Sequence, residues 1–519
     1  MLFRVRAKAS FERPKGRIVA DGRCAWGEDL KLEEPSGKNA CLDAQSWTFR
    51  FVGLEHCFEG RIDWSGGPHG KLWDYNLHYF EWLWGLPPEQ GKELVLDWIE
   101  RHPYAPGSVG WEPYPLSLRI MNWLGYWGTV GRQLFDQDDA FRERLVESIG
   151  LQCDWLTKRL EKHLLGNHYL ENGAALWVAG SFFEGAASKW KRLGHSILEA
   201  QLREQVLEDG MHFERSPMYH NRLRCVLEWI AAIEKSCGES AFTRYLEPVN
   251  TAALRLRHPD GRIALLNDSA FGIYPEVEGE APVGAFALEA SGYYGARTVG
   301  GDYIVCDAGR IGPDYIPGHA HCDIGSFELS LAGERFITDT GVYHYESTRE
   351  RHYTRSTQAH NTFSPDSQEQ AEIWGAFRVG RRPDVDVTEW RQQGQASFVL
   401  GLKHNGFQSA GYSRKFEFSE EESLLIEDRF SSAEGILWSG CLHCAPGVQV
   451  IDQPNESQLR LQHGNAIVTL SVEGVKKLEV GESPYYPRFN DKEMRLCITY
   501  QASGSAGTVR VTIAWSENP

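Results

Sequence analysis

SFELSLAGERFITDTG, residues 326–341, alternates apolar and polar side chains and breaks at Gly333-Glu334. A period of two bounded by a glycine turn marks a half-covered strand folding back on itself. The same period returns in SRKFEFSEEESLLIEDRF (413–430), IVTLSVEGVKKLEV (467–480) and TVRVTIAW (508–515), punctuated by Gly, Asn and Ser. Together these runs predict an antiparallel β-sandwich. Upstream, from about residue 75 to 255, the step changes to three and four. LVLDWIERHP, LSLRIMNWLGYW, FRERLVESIGLQCDWLTKRLEKHLL and NRLRCVLEWIAAIEKS carry apolar stripes of amphipathic helices, as in a helical bundle or α/α toroid. The predicted fold class is therefore α+β and multidomain. An N-terminal segment of undecided fold (1–60) precedes a helical domain (61–295) and a sandwich (296–519), with a cleft expected between the last two.

A chain of 519 residues exceeds one ordinary core, which agrees with that division. The net charge of −17 argues against nucleic acid and against an anionic membrane surface, yet leaves room for a locally basic cleft. Eighteen Trp suit clefts that stack sugar rings, although most are expected in the core. Eleven scattered Cys do not form a secreted disulfide framework, and the lone CxxC, Cys441 to Cys444, is read as strand residues. The first residues, MLFRVRAKASFERPKG, hold no apolar segment of secretory length, so the sequence as written reads as cytoplasmic. A trimmed start would leave a periplasmic or secreted protein open.

Four polar clusters interrupt these patterns. GNHYLENGAALW (166–177) sets Asn167 and His168 at the head of an apolar run. In DGMHFERSPMYHNRLRCVLEW (209–229), Ser216-Pro217 is a strong helix start. Tyr219 falls in the first turn, where the positive helix end would favour a phenolate able to exchange a proton, unless it is a core tyrosine. In GHAHCDIG (318–325), extended backbone would put His319, His321 and Asp323 on one face, as a metal or an acid/base site. TRERHYTRSTQAHNTF (348–363) offers Arg349, Arg351 and Arg355, two of them expected in solvent, and a His360-Asn361 pair that could turn inward.

Five stretches, GNHYLENG (166–173), HFERSPMYH (212–220), GHAHCDIGSFELS (318–330), FITDTGVYHY (336–345) and AHNTF (359–363), together resemble the heparinase II/III-like polysaccharide lyases. The resemblance spans roughly residues 75 to 370. It implies an incomplete (α/α) toroid followed by an antiparallel β-sandwich, and β-elimination at a uronic acid. Such chemistry needs donors that neutralise the uronate carboxylate, a base for the C5 proton and an acid for the departing O4. By resemblance, Asn167 and His168 bind the carboxylate, Tyr219 is the acid and for some substrates the base, and His319 is the other base candidate. Glu214, Arg215, Tyr345 and Arg355 are the expected substrate contacts. The resemblance also implies a structural divalent metal, zinc or else Mn or Ca, on His321, Asp339 and His360. A simple hairpin at Gly333-Glu334 would not set His321 opposite Asp339, so some irregularity is required there.

The expected partner is an acidic polysaccharide of glycosaminoglycan type, with alginate or bacterial exopolysaccharide as alternatives. A glycoside hydrolase using Glu171 and Glu214 is a competing reading, and a silent glycan-binding protein is another.

Overall fold

The structure, a computed structural model, describes residues 24–35, 40–183, 187–366, 368–408 and 410–517. The opening stretch 1–23, part of the segment of undecided fold, lies outside the described residues. The chain divides into two compact units, Met1–Arg203 with Cys225–Thr243, and Glu204–Arg224 with Arg244–Pro519.

The first unit opens with a small antiparallel sheet of β1 (Ala40–Asp43), β2 (Thr48–Phe51) and β3 (Leu54–Cys57). Helices α1 (Lys71–Tyr79), α2 (Pro88–Arg101), α3 (Pro113–Gly128), α4 (Arg132–Gln137), α5 (Asp139–Thr157), α6 (Gly166–Phe182) and α7 (Ser188–Gln205) follow. Their starts follow local chemistry. Proline opens α2 and α3, and the Asp138 carboxylate accepts from the Phe141 N–H to cap α5. Helix α3 is buried from Tyr114 to Gly128. Its Arg119 is fully covered, donating to Gln152 Oε1 at 2.9 Å and the Gly110 carbonyl at 2.8 Å beneath the Trp98 ring. Glycines let α6 and α7 touch: a Cβ on Gly180 would lie 2.3 Å from the Lys191 nitrogen. Trp73, Trp98, Trp123, Trp127 and Trp177 are core residues, as expected for most of the tryptophans. Among the described residues no helix is long and apolar enough to cross a membrane.

Helix α8 (Pro217–Cys237) begins in the second unit's share of the chain, and α9 (Leu246–Arg255) follows. An antiparallel sheet comes next, in the order β4 (Gly284–Leu288), β5 (Tyr293–Arg297), β6 (Tyr303–Asp307), β7 (Phe327–Leu331) and β8 (Glu334–Ile337). Helix α10 (Arg349–Arg355), β9 (Phe363–Pro365) and the small pair β10 (Ile373–Trp374) and β11 (Arg378–Val379) lead into the larger sheet. That sheet holds β12 (Val385–Gln392), β13 (Phe398–His404), β14 (Ala410–Ser419), β15 (Ser423–His443), β16 (Gln449–Asn455), β17 (Gln458–His463), β18 (Ala466–Glu473), β19 (Lys477–Tyr485) and β20 (Glu493–Glu517). Its order is β12-β13-β14-β15-β20-β18-β17-β16, with β9 also on β15 and β19 also on β20. One core joins the two sheets, with Ile304, Phe327 and Leu329 of the smaller packing among Phe398, Ile426, Ile498 and Val511 of the larger.

The opening run behaves as its period demands, with one difference. All five residues of β7 are buried, polar ones included. Glu328 tolerates this because it accepts from His258 Nε2 at 3.0 Å, Leu265 N at 3.0 Å and Asp339 N at 2.7 Å.

Candidate active site and metal centre

The second unit brings three of the quoted stretches onto a triplet that sequence reasoning passed over, Asn267-Asp268-Ser269. The Ser216 hydroxyl accepts from Tyr219 N at 3.2 Å, capping α8 as predicted, and donates to the Asp268 carbonyl at 2.6 Å. The His321 N–H donates to Asn267 Oδ1 at 3.1 Å, and the Asp268 N–H to the His319 carbonyl at 3.0 Å. Backbone and side chains of the triplet thus lock the start of α8 to the His319–His321 loop.

The Asp268 carboxylate is the centre. It is 0 % exposed and accepts from His319 Nδ1 at 2.8 Å, His321 Nε2 at 2.8 Å and both terminal nitrogens of Arg351. Burial alone would raise its pKa, but Arg351 and the two imidazoles hold it well below the usual carboxylate range. A permanent carboxylate can only accept, so it sets both histidine tautomers. His319 keeps its lone pair on Nε2 and His321 keeps its own on Nδ1.

His319 Nε2 lies 3.6 Å from Glu214 Oε2. The Tyr219 ring packs on the His319 ring with centroids 4.0 Å apart, and its hydroxyl is 3.1 Å from that of Tyr345. Burial, with Tyr345 and Asp268 adding to it, raises the Tyr219 phenol well above its ordinary value. This corrects the phenolate expected from the helix dipole: desolvation outweighs the helix end, and Tyr219 stands as a protonated donor. Phe377, 43 % exposed, completes the wall beside His319 and Tyr345 at 5.9 and 5.4 Å. Sequence reasoning missed Phe377, and no local pattern marks it.

A buried donor set lies behind His321. The potential ligand atoms of His321, Asp323 and His360 all fall within 4.8 Å of one another. His321 Nδ1 and His360 Nε2 are buried without a hydrogen-bond partner, and the other nitrogen of each ring is held by a carboxylate. Two orphaned lone pairs beside a carboxylate fit a divalent cation, with carboxylates orienting the imidazoles from outside. Asp339, expected as a ligand, accepts from His360 Nδ1 at 2.8 Å through Oδ2 and from Thr340 N at 2.8 Å through Oδ1. The carboxylate whose oxygen converges with the two imidazoles is Asp323. The hairpin does carry an irregularity, a register shift between Leu329 and Ser330.

The remaining predicted contacts divide. Arg215 has a φ of 59° and donates to the Ser291 and Gly312 carbonyls at 3.0 and 2.9 Å. Arg355 is 1 % exposed and donates to the Ala320, Gly375 and Arg378 carbonyls. Both guanidiniums brace loops of the site. Of the three arginines around α10 only Arg349 is exposed, so the expectation of two solvated ones is corrected: Asp268 and backbone carbonyls draw Arg351 and Arg355 inward. In the first unit, Asn167 is half-buried in the first turn of α6. His168 Nδ1 lies 3.1 Å from Glu161 Oε1, and its ring packs against Tyr114 with centroids 4.2 Å apart. Glu171, offered for a hydrolase pair, is 1 % exposed.

Family models describe both parts of the chain. Residues 93–273 match "Heparinase II/III N-terminus" and residues 280–514 match "Heparinase II/III-like, C-terminal". The chain belongs to the heparinase II/III-like family. Among heparinase II/III-like relatives, a heparin-sulfate lyase of Pedobacter heparinus is 26 % identical over 492 residues, covering 78 % of this chain and 70 % of the relative. One from Bacteroides thetaiotaomicron is 22 % identical, covering 73 % of this chain and 62 % of the relative. A crystal structure of heparinase III superposes with a TM-score of 0.73 at 17 % identity, over 93 % of this chain and 82 % of that one. A mutant of the Pedobacter heparinus heparan sulfate lyase HepC gives 0.67 at 18 %, over 91 % and 82 %. The heparinase II/III-like fold is the expected one, an incomplete (α/α) toroid and an antiparallel β-sandwich.

Proposed function

We propose that the protein cleaves a uronic-acid-containing glycosaminoglycan by β-elimination, leaving a 4,5-unsaturated uronate at the new non-reducing end. One observation carries the reading. A permanently ionised Asp268 leaves a basic Nε2 on His319, and the ring of a protonated Tyr219 stands 4.0 Å away. A base and an acid side by side are what elimination across C4–C5 requires.

His319 Nε2 takes the C5 proton. The C5–H electron pair becomes the C4–C5 double bond, the C4–O4 bond breaks, and O4 leaves with the Tyr219 proton. Tyr345, hydrogen-bonded to Tyr219, orients that donor. Asn167 and His168 are assigned to the substrate carboxylate, where donors stabilise the enolate-like charge that develops on proton loss. Phe377 supplies an apolar face for a sugar ring. Glycosaminoglycan is favoured over alginate by the heparin-sulfate lyases among the relatives.

His321, Asp323 and His360 would hold the divalent cation, and zinc suits two imidazoles and a carboxylate. Bound there, it would neutralise buried carboxylates and pin the loop that carries His319.

The test is ultraviolet absorbance of unsaturated uronate during incubation with heparan sulfate, chondroitin, hyaluronan and alginate. Growth with heparan sulfate supports the reading. New reducing ends without absorbance would mean hydrolysis and overturn it.

A further inference from the structure

Neighbouring strands of the larger sheet carry three donor side chains that neither the elimination site nor the His321 centre uses. Cys441 and His443 lie two residues apart on β15, and on β20 Cys497 is paired directly with His443 while Thr499 faces Cys441. Residues in those register positions share one face. One sulfur from each cysteine and one imidazole nitrogen fall within 4.8 Å of one another. His443 and Cys497 are buried and Cys441 is half-buried. His443 Nε2 lies 3.1 Å from the Gln358 carbonyl and donates to it, which leaves the lone pair on Nδ1, 2.9 Å from the Ser483 hydroxyl. On the other side of Cys497, β19 presents Gly481, where a Cβ would meet nothing within 4 Å. The row is therefore open at that end.

We propose that Cys441, His443 and Cys497 form a second metal site, selective for a thiolate-preferring cation such as zinc. Two sulfurs and a nitrogen make three corners of a tetrahedron, and the Ser483 hydroxyl or a water supplies the fourth. A carbonyl-anchored imidazole is the usual support for such a ligand. The register argues for metal over a disulfide. Diagonal neighbours on antiparallel strands keep their Cβ atoms roughly 6–7 Å apart, whereas a disulfide needs about 3.5–4.5 Å. Two thiolates on one zinc, with bonds of about 2.3 Å, tolerate that wider separation. Both cysteines ligate as thiolates, so metal binding releases their thiol protons. Cys444 sits an odd number of residues from Cys441, faces the other way, and packs in the core.

Cobalt(II) titration of the full chain, reduced and stripped of metal, tests the site. The expected result is a near-ultraviolet sulfur-to-cobalt charge-transfer band that saturates by two equivalents in the wild type and at one in His321→Ala. It should be lost in Cys497→Ser and kept in His321→Ala, whose metal centre contains no sulfur. If Cys497→Ser does not fold, alkylation of the wild type read by peptide mass supplies the answer, with zinc slowing modification of Cys441 at least tenfold. No charge-transfer band, a band undiminished in a folded Cys497→Ser, or unprotected Cys441 would overturn the proposal. So would a Cys441–Cys497 disulfide formed in air.

Discussion

Replacing Asp268 by Asn keeps the volume, removes the charge and turns one acceptor oxygen into a donor. Four hydrogen bonds converge on that carboxylate, one each from His319 and His321 and two from Arg351. An amide accepts at one atom only, so at least one of those side chains meets donor against donor. Arg351 is 0 % exposed, and stranding its charge costs about 3–5 kcal/mol. For a unit of this size that lowers Tm by on the order of 10 °C. His319 is also released from its tautomer, because an amide N–H can donate to Nδ1 and leave the single ring proton on Nε2, and the base is lost. We expect kcat to fall by roughly two to four powers of ten. KM should hold, because Asp268 is fully covered and cannot touch substrate. Initial rates of absorbance growth on heparan sulfate, with thermal melts of the same samples, give both numbers. The double variant Asp268→Asn/Arg351→Met removes both buried charges and should regain much of the melting temperature while staying slow. An Asp268→Asn protein that melts like wild type and turns over within about threefold of it would refute the tautomer argument.

Tyr219→Phe should lower kcat by about two to four powers of ten with KM nearly unchanged, read in the same assay; near-normal turnover removes the phenol from the reaction. Asn167→Ala should cost about two to three powers of ten in kcat/KM on uronate substrates, and an unchanged value would take Asn167 away from the carboxylate. His321→Ala should lose bound metal by elemental analysis and melt lower than wild type, and full retention of metal would displace the proposed centre. In metal-free protein, burial pushes Asp323 up to about 6, so its contribution is full below the ordinary carboxylate range and is lost as pH rises through about 6. His360 is also raised, chiefly by Asp339 against its burial, and its contribution is likewise lost as pH rises. Zinc must displace both of those protons, so the rise in melting temperature on adding zinc to stripped protein should be larger at about pH 7.5 than at about pH 5; an equal rise at both contradicts this account.

Where a residue's role follows from its chain neighbours, the sequence carried it. Ser216 and Pro217 start α8 because a hydroxyl cap and a pre-set φ act within one turn. Asp323 was visible as a partner of His321 from spacing alone, although the family pattern had directed attention to Asp339. Asp268 was invisible for the opposite reason. It sits in a short loop without periodicity, and its partners lie 51 to 83 residues away. The arginines show the same limit. Arg349, Arg351 and Arg355 look alike in sequence, and only packing decides that the last two are buried.

The change of hydrophobic period and the turn residues thus sufficed for two architectures, and five ordered stretches sufficed for the family, because both are written in local spacing. Which lone pair each histidine keeps, which carboxylate converges on His321 and His360, and that Cys441 meets Cys497 instead of Cys444 were decided only when distant segments packed. Each depends on strand register and on a few ångströms between residues far apart in the chain. Sequence spacing does not encode such distances until the fold closes them.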